Sequence, residues 1–244
     1  LCAGCPHTAS YLALRGVNAR VAGDIGCYTL AAVEPLRSID TTVCMGASIA
    51  NAVGMAAAGE TKPIVATIGD STFLHSGIAP LVDAVYNKAN ITVVLLDNSI
   101  TAMTGGQDHP GTGRTLRGEA THKVDYERIC RAVGVEWIRK VDPYEIGHLY
   151  QTLREAIMYK GVSVVVSSRP CVLDPVKIKG APLAVAAAGC VACQSCMNLG
   201  CPSITWTEEM VEGHHKVKID AATCIGCTLC AQVCPSDCIQ PVMQ

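Results

Sequence analysis

Three short apolar runs stand out in the first two thirds of the chain: Val65–Gly69, Ile91–Leu96 and Val162–Ser167. Each has a strand's length and stops at a turn signal, namely Gly69-Asp70, Asp97-Asn98 and Arg169-Pro170. Their near-continuous Val, Ile and Leu content is that of strands covered on both faces. Between them the pattern predicts helices over Ala47–Ala58, Ile78–Lys88, Asp125–Val133 and Tyr144–Tyr159. Strands alternating with helices argue for an α/β fold with a parallel sheet. In such sheets ligands sit beyond the carboxyl ends of the strands, where Gly69-Asp70 and Asp97-Asn98 both fall.

The pattern changes near Pro182. The run starting at Cys190 recurs at Cys224, an offset of 224 − 190 = 34 residues, and each copy ends in Cys-Pro. This internal duplication marks a separate small unit. The expected organisation is a parallel-sheet domain over residues 1–181 and a small α+β domain over 182–244, with Pro182–Gly189 as a linker.

Composition narrows the chemistry. With 244 residues, half of them hydrophobic, the chain has material for one sizeable domain and a small one. A net charge of −2 offers no basic field to recruit nucleic acid. No run approaches the ~20 apolar residues of a membrane span. Fifteen cysteines, mostly in Cys-x-x-Cys runs of a long core-forming chain, point to metal rather than disulfides and to a reducing compartment, the cytoplasm.

The second copy reads Cys224-x-x-Cys227-x-x-Cys230-x-x-x-Cys234-Pro235, the bacterial ferredoxin run. Three thiolates on a tight loop hold three iron corners of a [4Fe-4S] cubane, and the fourth Cys reaches across to the other cluster. Cys224, Cys227, Cys230 and Cys201 therefore form one ligand set, and Cys190, Cys193, Cys196 and Cys234 the other. The first copy departs from the pattern, with four residues rather than three between Cys196 and Cys201. The competing reading, a structural zinc site, needs two Cys-x-x-Cys pairs but neither the third Cys nor the trailing Cys-Pro.

Gly69-Asp70-Ser71 and Asp97-Asn98 form a second constellation, 98 − 70 = 28 residues apart. Mg²⁺ beside a diphosphate takes oxygen ligands, few of them from protein. Asp70 can give a carboxylate, Asn98 an amide oxygen and Ile100 a backbone carbonyl. Gly69 allows close backbone approach to phosphate.

These segments resemble the diphosphate motif of thiamine diphosphate enzymes, with Ser71 in place of the motif's last Gly. Asp24–Tyr28, Thr41–Ser48 and Thr104–Gln107 resemble segments of the 2-oxoacid:ferredoxin oxidoreductases. Gly69–Gly77 and the domain order are similar to the alpha subunits of the indolepyruvate branch. The resemblance implies cofactor contacts from Met45, Gly46, Ala47, Gly69, Asp70, Ser71, Asn98, Ile100 and Thr104, with His75 facing the thiazolium or the substrate as a catalytic residue. It also implies a third [4Fe-4S] cluster on Cys2, Cys5, Cys27 and Cys171. Cys44, Cys130 and Cys238 are left over and read as buried thiols. His7 is the other histidine near the motifs, and His214-His215 falls in an exposed loop between the cluster runs.

The activity implied is oxidative decarboxylation of an aryl 2-oxoacid to its coenzyme A ester, with electrons passing through the clusters to an external ferredoxin. The partners implied are a thiamine pyrimidine-binding domain and a second subunit. Two alternatives stand beside it: a related enzyme for pyruvate or branched 2-oxoacids, and a non-catalytic electron-transfer subunit.

Overall fold

The computed structural model describes residues 1–174 and 180–242. Helix α1 (Pro6–Gly16) leads into β1 (Arg20–Gly23), the short β2 (Thr41–Thr42), α2 (Ser48–Ala57) and β3 (Ile64–Gly69). The chain then runs through α3 (Asp70–Thr72), a π-helical turn (Phe73–Gly77) and α4 (Ile78–Tyr86) to β4 (Ile91–Asp97). After a long loop come α5 (Tyr126–Ala132), β5 (Trp137–Val141), α6 (Ile146–Met158) and β6 (Val162–Ser168). These strands make one six-stranded sheet in the order β2-β1-β3-β4-β6-β5, parallel throughout.

The three expected strands are the sheet's centre, and the four expected helices form within a few residues of their predicted bounds. Three strands and α1 were not legible. β1 and β2 are too short for a pattern, and β5, an edge strand, breaks the apolar run with the adjacent exposed Arg139 and Lys140. Helix α1 begins with Pro6, which suits a first helical position. Its buried face, however, carries His7, Ser10 and Tyr11, so no apolar stripe appears.

That polar face is satisfied inside the protein. The Tyr11 hydroxyl lies 2.8 Å from Thr67 Oγ1 on β3, and Ser10 Oγ lies 2.9 Å from Ser167 Oγ on β6. One apolar core fills the sheet face under α2, α4 and α5, with Ile49, Ile68, Phe73 and Leu81 wholly buried. The opposite face packs Leu14 of α1 and Leu149 and Leu153 of α6 on Val65, Val94 and Val165.

The Cys-rich part builds its own small structure. It comprises β7 (Leu183–Val185), the hairpin β8 (Ile204–Val211) and β9 (His214–Ile219), the short α7 (Leu229–Gln232) and β10 (Ile239–Pro241). The expected linker is thus partly strand: β7 pairs antiparallel with β10 and buries Leu183. His214 and His215 are exposed as expected, but they open β9 rather than lie in a loop. Its core includes Cys190, Cys196, Cys230 and Cys238 beside Leu199 and Ile204, and Ala9 of α1 joins it. Gly4 meets Ile225 there, since a Cβ at Gly4 would lie 2.2 Å from Ile225 Cδ1.

Tyr11→Phe should cost about 1–3 kcal/mol of stability, because Thr67 loses its buried partner. Adding Thr67→Val should recover part of the loss. Anaerobic guanidinium unfolding of the two variants checks this, and a double variant no more stable than the single one would contradict it.

Candidate active site and cysteine sets

All six strands point their carboxyl ends to one edge, and a cavity of about 350 Å³ opens there. Gly69, Asp70, Ser71, Asn98, Ile100 and Thr104 line it, as do Met45 and His75. Gly46 and Ala47 lie beside Met45 but are not among the lining residues. His75 sits on the π-helical turn, exposed at the cavity wall.

Asp70 is buried, and both of its oxygens accept backbone N–H groups: Oδ1 from Ser71 at 2.8 Å and Oδ2 from Ser99 at 2.8 Å. Ser99 adopts a left-handed conformation, φ +58°. That turn lets its N–H reach Asp70, just past the end of β3, and also approach Asp97 Oδ1 at 3.1 Å. Asp97 is further held by the hydroxyls of Ser99 and Ser168, which leaves the next residue, Asn98, to face the cavity. The Ile100 carbonyl accepts Ala102 N–H at 3.0 Å, using one of its two lone pairs.

His109, on the loop after β4, is buried against this site. Its Nδ1 accepts Gly111 N–H at 3.2 Å, and Nε2 lies 3.3 Å from Asp70 Oδ2 without the alignment of a hydrogen bond. Burial pushes the Asp70 carboxyl above its ordinary pKa; His109 opposes the shift and Asp97 adds to it. Two buried carboxylates beside one imidazole are an arrangement that a divalent cation would relieve. The donor set of Asp70, Asn98 and a carbonyl is the hard oxygen set that Mg²⁺ takes. The residues therefore fit a cation-bound diphosphate.

A second buried carboxylate shapes the rim. Asp24, just past β1, is wholly buried and accepts three backbone N–H groups: Ile25 at 2.8 Å, Gly46 at 2.7 Å and Ser48 at 3.1 Å. It ties the Cys44–Ser48 loop to the end of β1. Gly46 is required there, with φ +87° and a Cβ position 2.0 Å from Ser76 Oγ. Tyr28 packs over Gly69: its hydroxyl accepts Gly69 N–H at 3.0 Å, and a Cβ at Gly69 would lie 3.0 Å from its ring. The close approach made by Gly69 in the structure is thus to Tyr28.

Cys190, Cys193, Cys196 and Cys234 line one small hollow, together with Cys238. Burial pushes the Cys230 thiol up to about 12, and Cys227, Cys201, Cys224 and, from the other expected set, Cys196 add to the shift as neighbours. Cys2 and Cys27 both act on Cys171, and Cys171 and Cys2 on Cys5. Among the described residues, no three His, Cys, Asp or Glu side chains converge on a single-ion position.

Backbone geometry repeats across these turns. The third residue of the first Cys-x-x-Cys in each run is left-handed: Gly4 at φ +69°, Ala192 at +53° and Gly226 at +69°. Gln194 and Thr228, related by 228 − 194 = 34, are left-handed as well. The extra residue of the first copy is taken up by a 3₁₀ turn (Ser195–Leu199) ending at Gly200, φ +60°. Of the remaining cysteines, Cys130 is buried in the apolar core, whereas Cys44 is exposed, contrary to expectation. Cys238 is buried with its sulfur 3.5 Å from that of Cys234.

The family described as thiamine pyrophosphate enzyme, C-terminal TPP binding domain, matches residues 24–167, more than half of the chain. The chain belongs to the thiamine pyrophosphate enzymes. A 4Fe-4S binding domain matches residues 217–240, the second cysteine run. Indolepyruvate oxidoreductase subunit IorA of Archaeoglobus fulgidus is 43% identical over 99% of this chain and 39% of its own length. The Thermococcus kodakarensis subunit of the same name is 42% identical over 100% of the chain and 40% of its own length. The chain thus spans about 40% of the length of these curated relatives. A 2-oxoglutarate:ferredoxin oxidoreductase from Magnetococcus marinus shares the fold, with a TM-score of 0.62 at 19% identity over 73% of this chain and 65% of that one. No described helix is long and apolar enough to cross a membrane.

Asp24, Tyr28, His7 and His109 are the residues that sequence reasoning did not place. Asp24 and Tyr28 stand in a segment already singled out, but nothing local shows that a carboxylate will serve a loop 22 residues on. Asp24→Ala should cost about 3 kcal/mol or more, because three N–H groups lose a charged acceptor. It should also free the Cys44–Ser48 loop to proteolysis. An unchanged unfolding midpoint and digestion pattern would contradict that role.

Proposed function

We propose that this chain is the diphosphate-binding and electron-transfer part of a 2-oxoacid:ferredoxin oxidoreductase acting on an aryl 2-oxoacid, indolepyruvate foremost. The observation that carries the reading is a cavity lined by Asp70, Asn98 and Cys27 in the same chain as a duplicated Cys-x-x-Cys run. Residues 1–181 form the thiamine diphosphate and Mg²⁺ domain, and residues 182–244 the two-cluster domain.

In this reading Asp70, Asn98 and the Ile100 carbonyl hold the cation, while Met45, Gly46, Ala47, Gly69, Ser71 and Thr104 border the cofactor. His75 stands where a substrate reaching the cavity would pass. Thiamine diphosphate, when bound, supplies the carbanion-stabilising chemistry that lets a 2-oxoacid lose CO₂. Cys2, Cys5, Cys27 and Cys171 hold the cluster nearest the cavity, since Cys27 lines it and Cys2 also borders the Cys201/Cys227/Cys230 set. The Cys190/Cys193/Cys196/Cys234 set lies in the small unit and includes the exposed Cys193, a suitable exit for single electrons to ferredoxin. The pyrimidine-binding domain, the second subunit and coenzyme A complete the reaction, in the reducing cytoplasm.

Anaerobically prepared protein should carry about twelve Fe per chain, three cubanes of four. A reproducible eight Fe with an intact ferredoxin-type spectrum would remove the Cys2/Cys5/Cys27/Cys171 set from the reading. A second test concerns the cation. Asp70→Ala in the assembled enzyme should abolish Mg²⁺-dependent thiamine diphosphate binding by calorimetry while leaving iron content unchanged. Normal cofactor affinity in that variant would show the Gly69-Asp70 assignment to be wrong.

A further inference from the structure

Three of the four N-terminal cysteines are each one step from the diphosphate motif. Cys5 caps α1, and His7, in the first turn of that helix, lies with Nε2 3.4 Å from Asn98 Nδ2. Cys27 opens a 3₁₀ turn whose next residue, Tyr28, accepts the N–H of Gly69 and donates to Ile25 O at 3.0 Å. Cys171 donates its own N–H to the Asn98 carbonyl at 2.9 Å. The His7 and Tyr28 rings meet edge to face with centroids 5.6 Å apart, which joins two of these links.

The His7 contact has a definite chemical sense. An amide nitrogen donates and cannot accept, so the imidazole must accept through a bare Nε2. That fixes which end of the Asn98 amide faces α1, and it turns Oδ1, the only end able to ligate a cation, the other way. His7 is 4% exposed, so this contact is made inside the protein rather than in competition with water.

We propose that the Cys2/Cys5/Cys27/Cys171 site and the Asp70/Asn98 site bind their cofactors cooperatively, with His7 as the positioning residue that orients Asn98. The inference rests on the reading given under Proposed function. A cluster shared by segments 2–5, 27 and 171 tethers the three segments that hold Gly69 and Asn98. Without it each segment must be ordered separately when the cation and diphosphate bind. The coupling is reciprocal: a bound diphosphate holds the same three segments and resists loss of the cluster. Tyr28 and the Cys171 amide carry the remainder of the link through backbone bonds.

The test uses the assembled enzyme under anaerobic conditions, with Mg²⁺ and thiamine diphosphate as the probe and a ferrous chelator as the challenge. In the unaltered enzyme, Mg²⁺ with thiamine diphosphate should slow loss of about four of the twelve Fe several-fold. His7→Phe keeps the bulk and the ring contact but removes the acceptor. It should retain twelve Fe, bind thiamine diphosphate about tenfold more weakly by calorimetry and lose the protection. His7→Gln, which restores an acceptor at similar reach, should recover much of the affinity. A His7→Phe enzyme with full iron, unaltered affinity and unaltered protection overturns the proposal. Should that variant lose iron instead, protection in the unaltered enzyme decides alone, and its absence overturns the proposal. An unaltered enzyme holding only eight Fe, or binding thiamine diphosphate without Mg²⁺ dependence, refutes the underlying site assignment and the coupling with it.

Discussion

A carboxylate buried at the end of a strand must find donors, and here it finds them on loops that belong to other strands. Asp24 gathers N–H groups from its own turn and from the loop before α2; Asp70 gathers them from its own turn and from the loop after β4. Each such bond is charge-assisted and made to a buried carboxylate, so a few of them hold loops that have little apolar content of their own. The cavity exists because these loops are held apart at fixed positions around the strand ends. The parallel sheet makes this possible by delivering every carboxyl end to one side.

The small unit depends on its cysteines in a different way. Its core contains four of them beside a handful of Leu, Ile and Val, which is thin for a unit of this size. Burial pushes the thiols of Cys196 and Cys230 up to about 11 and 12, so they resist ionising on their own. Iron binding would draw those protons off and contribute its free energy to folding, as in other small metal-stapled units. The unit is seated on α1 through Ala9 and against Gly4 through Ile225, so it packs on the larger domain rather than hanging on a free tether.

Local signals determined much of this protein. Cys-x-x-Cys spacing and the 34-residue repeat announced the ferredoxin-type unit, and the left-handed residues at Ala192 and Gly226 show the repeat in the backbone. The central strands β3, β4 and β6 were legible because strands buried on both faces leave unbroken apolar runs. Gly69-Asp70 and Asp97-Asn98 were legible because each is a short motif at a strand's end. Helix α1 was not, since its buried polar side chains are paid for by Thr67 and Ser167, residues whose proximity no local pattern reveals. The strand character of residues 183–185 likewise depends on β10, more than fifty positions away.

Residue types and spacings, then, determined the chemistry available: cysteines in Cys-x-x-Cys runs, a carboxylate and an amide 28 positions apart. Tertiary structure alone decided how those groups address one another. It put His109 against Asp70, Tyr28 over Gly69 and His7 against Asn98, pairs separated by 39, 41 and 91 positions. The reason is physical: ligand types are properties of single residues and short turns, whereas orientation comes from hydrogen bonds made across the sheet edge only after folding has brought distant segments together.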